Sequence, residues 1–122
     1  MAQKYIVNDI VMYKNRIHTI IDISASNGYK LSYVRHQVSP VRLSGVPLTP
    51  EILEKNGWKD DSYDWYRLPT KRAYLYITKD MTTLGEFLVC VGLDRHNLAS
   101  INFVHQLQHL LFGLNINSEM EV

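Results

Sequence analysis

His105 and His109 stand four residues apart, a spacing that puts both imidazoles on one face of a helix and is used by helical zinc sites. Zinc needs three or four ligands, and His105-Gln106-Leu107-Gln108-His109 lacks the glutamate of the HExxH zincin motif. No metal is therefore expected there. Cys90 is the lone cysteine, set within the apolar run Phe87-Leu88-Val89-Cys90-Val91, where a thiol packs and does not react. Asp60, Asp61 and Asp64 form an acidic cluster without the glycine-bearing pattern of a calcium loop, and they read as solvated charges. His18, His36 and His96 are isolated along the chain. There is no GxSxG, no P-loop and no GxGxxG. The sequence thus makes no positive case for an enzyme, names no catalytic residue and calls for no cofactor or small-molecule ligand.

The face carrying those two histidines is the more informative feature. Ser100 to Leu114 reads as an amphipathic helix, with Ser100 as its cap and Gly113 at its end. Phe103, Val104, Leu107, Leu110, Leu111 and Leu114 fall within about 120° and form a core-facing stripe. The opposite face holds Asn102, His105, Gln106, Gln108, His109 and Phe112. No Asp, Glu, Lys or Arg occurs from His96 through Ser118. Solvated helix faces carry charges, whereas charge depletion with exposed aromatics marks interface cores. His105, Gln108, His109 and Phe112 are accordingly the candidate surface for a protein partner or self-association. An ordinary neutral face, or one covered by the chain's own front half, is the alternative.

The second candidate surface lies near the N-terminus. Residues 1–48 hold six basic and two acidic residues, a net charge of +4, although the whole chain carries only +1. Residues 49–122 hold seven basic and ten acidic residues, a net −3. Lys14, Arg16, Lys30 and Arg35 are interleaved with Tyr29 and Tyr33, and cations beside stacking aromatics can hold single-stranded nucleic acid.

These residues must be positioned by a small α+β fold. Asp9 to Tyr13, Ile17 to Ile23, Tyr29 to Val34 and Val38 to Leu43 read as short strands, the last weakened by Pro40. In the second, Ile17, Thr19, Ile21 and Ile23 share one face and His18, Ile20 and Asp22 the other. Asn27-Gly28 carries a type I′ turn signal. The expected front half is a small antiparallel SH3-like barrel or a curled sheet. Thr49, Pro50 and Glu51 then start a short helix that Asn56-Gly57 ends, with Leu48 stapled to Leu53 and Trp58 folding back on it. Lys59 to Asp64 reads as a polar loop, followed by strands Trp65 to Leu68, Ala73 to Thr78 and Glu86 to Val91 and then by the C-terminal helix. The expectation is one domain over 1–122, divisible into a β-rich 1–58 and a remainder 59–122.

Hydrophobic content of 46% fits a globular chain. There is no signal-peptide-like apolar stretch at the start and no apolar run long enough to span a bilayer, so no membrane is expected. With a single cysteine, the reading is cytoplasmic.

Two segments resemble a known group. Leu48-Thr49-Pro50-Glu51-Ile52-Leu53-Glu54-Lys55-Asn56-Gly57-Trp58 resembles an "LTPE-L-KNG" motif. Val104-His105-Gln106-Leu107-Gln108, followed by a Leu/Phe run and Gly113, is similar to a "VHQLQ-L-F-L-G" ending. Both occur in small uncharacterised proteins of Bacteroides-type bacteria and their phages and mobile elements. The order of elements is similar over most of the chain. His109 stands where that group often has Asn, and the final NINSEMEV departs from its usual close. The resemblance implies a phage or integrated element as the source, and it carries over no activity and no catalytic residue.

Overall fold

The computed structural model describes residues 5–24, 28–62, 65–70, 74–79, 86–92 and 96–122. The fold is α+β, with two antiparallel sheets and two α-helices among these residues. The smaller sheet is built from β1 (Ile10–Tyr13), β2 (Arg16–Ile23), β3 (Tyr29–Leu31) and β4 (Ser44–Gly45), in the order β3-β2-β1-β4. It is an open sheet with β3 and β4 at its edges, and no pairing closes it into a barrel among the described residues. The larger sheet is a meander of β5 (Lys59–Ser62), β6 (Trp65–Pro69), β7 (Tyr74–Lys79), β8 (Phe87–Val91) and β9 (His96–Ile101) in chain order.

The β1–β2 turn is where the left-handed backbone falls. Lys14 and Asn15 have φ of 49° and 63°, and Tyr13 pairs with Arg16, so this two-residue turn has the positive φ pair of type I′. Of the Asn27-Gly28 signal, Asn27 lies outside the described residues, and Gly28 does not adopt positive φ. In β2 the side turned inward is that of His18 and Ile20, while Ile17 and Ile21 are exposed. Strand β3 is shorter than expected, because Tyr33 turns left-handed (φ 62°). The expected strand over Val38–Leu43 is reduced to a bridge between Val38 and Tyr29 and a 3-10 turn over Pro40–Arg42. Proline fixes its own φ and cannot donate to a ladder, which explains the break.

Helix α1 (Pro50–Lys55) forms for local reasons. Thr49 Oγ1 accepts from the Ile52 N–H at 3.2 Å, and Pro50 occupies the first helical position. Gly57, at φ 89°, lets Trp58 N–H reach Leu53 O at 3.0 Å, which completes a Schellman ending. Asn56 then ties α1 to the C-terminal segment: its Nδ2 donates to Glu121 O (2.7 Å) and its Oδ1 accepts from Glu121 N–H (2.8 Å).

Helix α2 spans Val104–Gly113, four residues later than expected at its start. Ser100 is not its cap, because it pairs with Leu88 within β9. Beyond β9, Asn102 O accepts from Leu48 N–H (2.9 Å) and Val104 N–H donates to Val46 O (2.9 Å), so cross-chain pairing holds this stretch extended. The cap position falls to Phe103, which has no side-chain acceptor. Gln106 reaches back instead, its Oε1 accepting from the N–H of Asn102 (2.7 Å) and of Phe103 (3.1 Å). The helix closes on Asn115, at φ 59°, with Ile116 N–H donating to Leu111 O at 2.9 Å. Asn115, not Gly113, is therefore the left-handed residue of its C-terminal motif.

The Lys59–Asp64 segment, expected as a loop, supplies edge strand β5, paired with β6. Tyr63 and Asp64 lie outside the described residues. One face of the large sheet, with Leu75, Ile77, Phe87, Val89 and Ile101, packs with Leu53 and Trp58 and with Val104, Leu107 and Leu111 of α2. Ile10, Val46 and Leu48 from the front half belong to the same cluster. A second cluster, including Tyr5, Val11, Ile20, Tyr29, Leu31 and Val38, fills the small sheet. No helix among the described residues is long and apolar enough to cross a membrane.

Candidate functional site

Helix α2 lies between the two sheets and has two inward sides. Val104, Leu107 and Leu111 join the core under the large sheet. The neighbouring side, with His105 and Gln108, faces the start of the small sheet. Gln108 is 4% exposed, and its Oε1 accepts from Ile10 N–H at 2.9 Å. Its Nε2 donates to Asn8 O (3.0 Å) and to Ser118 O (3.2 Å). One side chain thereby bonds the entry to β1, helix α2 and the segment after α2. His105 is 2% exposed; its ring lies 4.9 Å from Tyr5 and stacks 5.7 Å from Phe103. Gly45 makes room for that stack, since a Cβ there would sit 2.6 Å from the Phe103 ring and 3.0 Å from His105 Cε1.

His109 stands one turn further on, half-buried. Its Nε2–H donates to Asp9 Oδ2 at 2.7 Å. Asp9 is 1% exposed, and Oδ2 also accepts from the Ile6 N–H at 2.9 Å. Burial pushes the Asp9 carboxyl above its ordinary value, while the Ile6 amide and then His109 pull it down. The sign of the pH effect follows. Ionising Asp9 is harder in the folded chain than in the unfolded one. Its contribution to stability is full below the ordinary value of 3.8 and is lost as pH rises through the folded value. Asp9→Asn keeps an oxygen for Ile6 and His109 and removes the titration. Its stability relative to the wild type should therefore rise with pH above about 4 in urea melts at a series of pH values. A difference that is flat or falls with pH contradicts this reading.

Between these groups lies an open cleft of about 540 Å³. One wall is Ile6, Val7, Asn8 and Asp9; Gln108 and Phe112 come from α2; residues 115–119 form the other wall. Ile6 and Val7 are exposed, and Phe112 is 67% exposed. Asn8 (φ 78°) and Asn115 (φ 59°) place left-handed turns at the two walls, a conformation asparagine tolerates better than most residues.

The four residues read from the helix face thus divide. Phe112 is exposed and His109 half-buried, while His105 and Gln108 are covered by the chain's own front half. The front-half contribution of Ile6, Val7 and Asp9 was not visible in the sequence as part of this site. The basic set divides as well. Lys14, Arg16, Lys30, Tyr33 and Arg35 are exposed, but Tyr29 is buried in the small-sheet core. Cys90 is buried in β8. Among the described residues, no three His, Cys, Asp or Glu side chains are grouped to hold a metal ion. No protein-family model, no curated protein and no solved structure matches this chain.

Proposed function

We propose that this protein is a non-enzymatic interaction module whose contact surface is the cleft between Ile6–Asp9 and the end of α2. The observation that carries the reading is the exposure of Ile6, Val7 and Phe112 around that cleft. Apolar side chains around a concave, open site are what a partner's apolar anchor would cover. The rigid floor supports this use, because Gln108 and the Asp9–His109 pair hold both walls in place before any partner arrives. The rim is polar, with Asn115, Asn117 and Glu119 exposed. The favoured occupant is a segment of another protein that seats an apolar side chain against Phe112. In line with the resemblance of its two motifs, we place the protein in the cytoplasm of a bacterium carrying a phage or mobile element.

Phe112→Glu tests the reading, because the side chain is exposed and the fold should survive. Burying a phenylalanine at an interface is worth about 1.5–3 kcal/mol, so the variant should retain a protein partner about 10- to 100-fold more weakly. A partner held equally by wild type and variant would rule out the cleft.

A further inference from the structure

At the other end of β1 the register gathers charges that are scattered in sequence. Tyr13 pairs with Arg16, which places Lys14 and Arg16 at the β1–β2 turn. Met12 pairs with Ser44 in the antiparallel β1–β4 ladder, so the chain just before Ser44, with Arg42 in its 3-10 turn, lies toward that same end. On the far side of β2, Ser32 N–H donates to Thr19 O (2.9 Å) and His18 Nδ1–H to Ser32 O (2.7 Å). Tyr33 therefore stands at the turn that ends β3 toward that same end, closed by Val34 N–H donating to Leu31 O (3.3 Å); the chain then runs back, with Arg35, to pair Val38 with Tyr29. Lys14, Arg16 and Arg42 are all exposed.

The acidic residues of the front half lie elsewhere. Asp9 precedes β1, and Asp22 sits at the end of β2, paired in register with Lys30. Both belong to the opposite end of the sheet, and Lys30 goes with them. No acidic residue occurs between Asp22 and Glu51.

Tyr33 adds an observation independent of charge. It is fully exposed and left-handed, at φ 62°. A bulky residue at positive φ is strained, and packing in this chain does not compensate a ring that projects wholly into solvent. Val41 is also exposed, one residue before Arg42.

We propose that this end of the small sheet binds single-stranded nucleic acid, with Tyr33 as a stacking platform and the three cations Lys14, Arg16 and Arg42 on the phosphates. Stacking on an aromatic requires an unstacked base, which a single strand offers and a duplex does not. A neutral or merely acidic partner would leave the Tyr33 ring unused. This site is separate from the cleft at Ile6–Asp9, and each can fail without the other.

Fluorescence anisotropy of the full chain with a labelled oligothymidylate of about 20 nucleotides tests it, starting at about 20 mM salt. Three phosphate contacts predict a log–log salt slope of about −2, and Arg16→Ala with Arg42→Ala should reduce its magnitude by about 1.4. Tyr33→Ala should weaken binding about 5- to 100-fold with the slope unchanged, while Tyr33→Trp retains it. Three results would overturn the proposal: no binding at the lowest salt, no effect of Tyr33→Ala, or displacement of the oligonucleotide by polyglutamate of equal charge, which would mark an acidic protein surface as the partner.

Discussion

Gln108→Ala should lower the free energy of unfolding by about 2–4 kcal/mol, a large loss for one polar side chain. The size follows from what the amide joins. Its oxygen takes the Ile10 N–H and its nitrogen reaches the carbonyls of Asn8 and Ser118, within a site that is itself buried. Alanine leaves a main-chain donor and two carbonyls without that partner, at about 1–3 kcal/mol for each group left unsatisfied. Water entering from the adjoining cleft satisfies some of them, which sets the range below the full sum. Urea denaturation followed by tryptophan fluorescence measures it, with Trp58 buried in the core as a reporter. A loss under about 0.5 kcal/mol, the ordinary effect of a surface substitution, would mean that Gln108 does not hold the two halves together.

Leu107→Ala should cost about 2–5 kcal/mol, the range for truncating a fully buried leucine. Leu107 has no exposed surface and sits in the cluster that joins Ile10 of the small sheet, Leu53 and Trp58, and Ile77 and Val89 of the large sheet. A cavity there cannot collapse toward one element without withdrawing from another, which argues for the upper part of the range. The same denaturation experiment decides the matter. Retained stability would show that α2 is not the element the two sheets share.

What the sequence made legible, and what it hid, follows the range over which each determinant acts. Helix α1 was readable to within a residue because its cap, its proline and its left-handed glycine all lie within ten positions of one another. In β7 alternation does not separate an inner from an outer face, because Leu75, Tyr76 and Ile77 are all buried and Tyr74 is exposed. The start of α2 was misread because Ser100–Asn102 has a helical pattern but hydrogen-bonds to β8 and to Leu48. Strand β5 hid in a charged segment, because an edge strand needs no apolar alternation to pair with β6. Strand number and turn spacing do not fix closure, so they leave a barrel and a curled sheet equally expected; among the described residues the small sheet is open.

The candidate site shows the same division. Its helical side could be seen as a face without charge, since His105, Gln108, His109 and Phe112 recur at helical spacing. Its other wall could not, because Asp9 meets His109 across 100 residues of chain and Ile10 meets Gln108 across 98. The neutral run from His96 to Ser118 divides among three settings. Part of it pairs within a sheet, part is a helix covered on two sides, and part wraps the cleft. Only Phe112 and the half-buried His109 are left facing outward from the residues first singled out.

The most direct measurement of the interaction reading is photo-cross-linking in the producing cell, with a benzophenone side chain in place of Phe112 and, as a control, in place of the exposed Glu54 on α1. A discrete protein adduct from position 112, lost on Val7→Glu and absent from position 54, is the predicted result. No adduct at 112, or the same adducts from both positions, would contradict the assignment of the cleft as the contact surface.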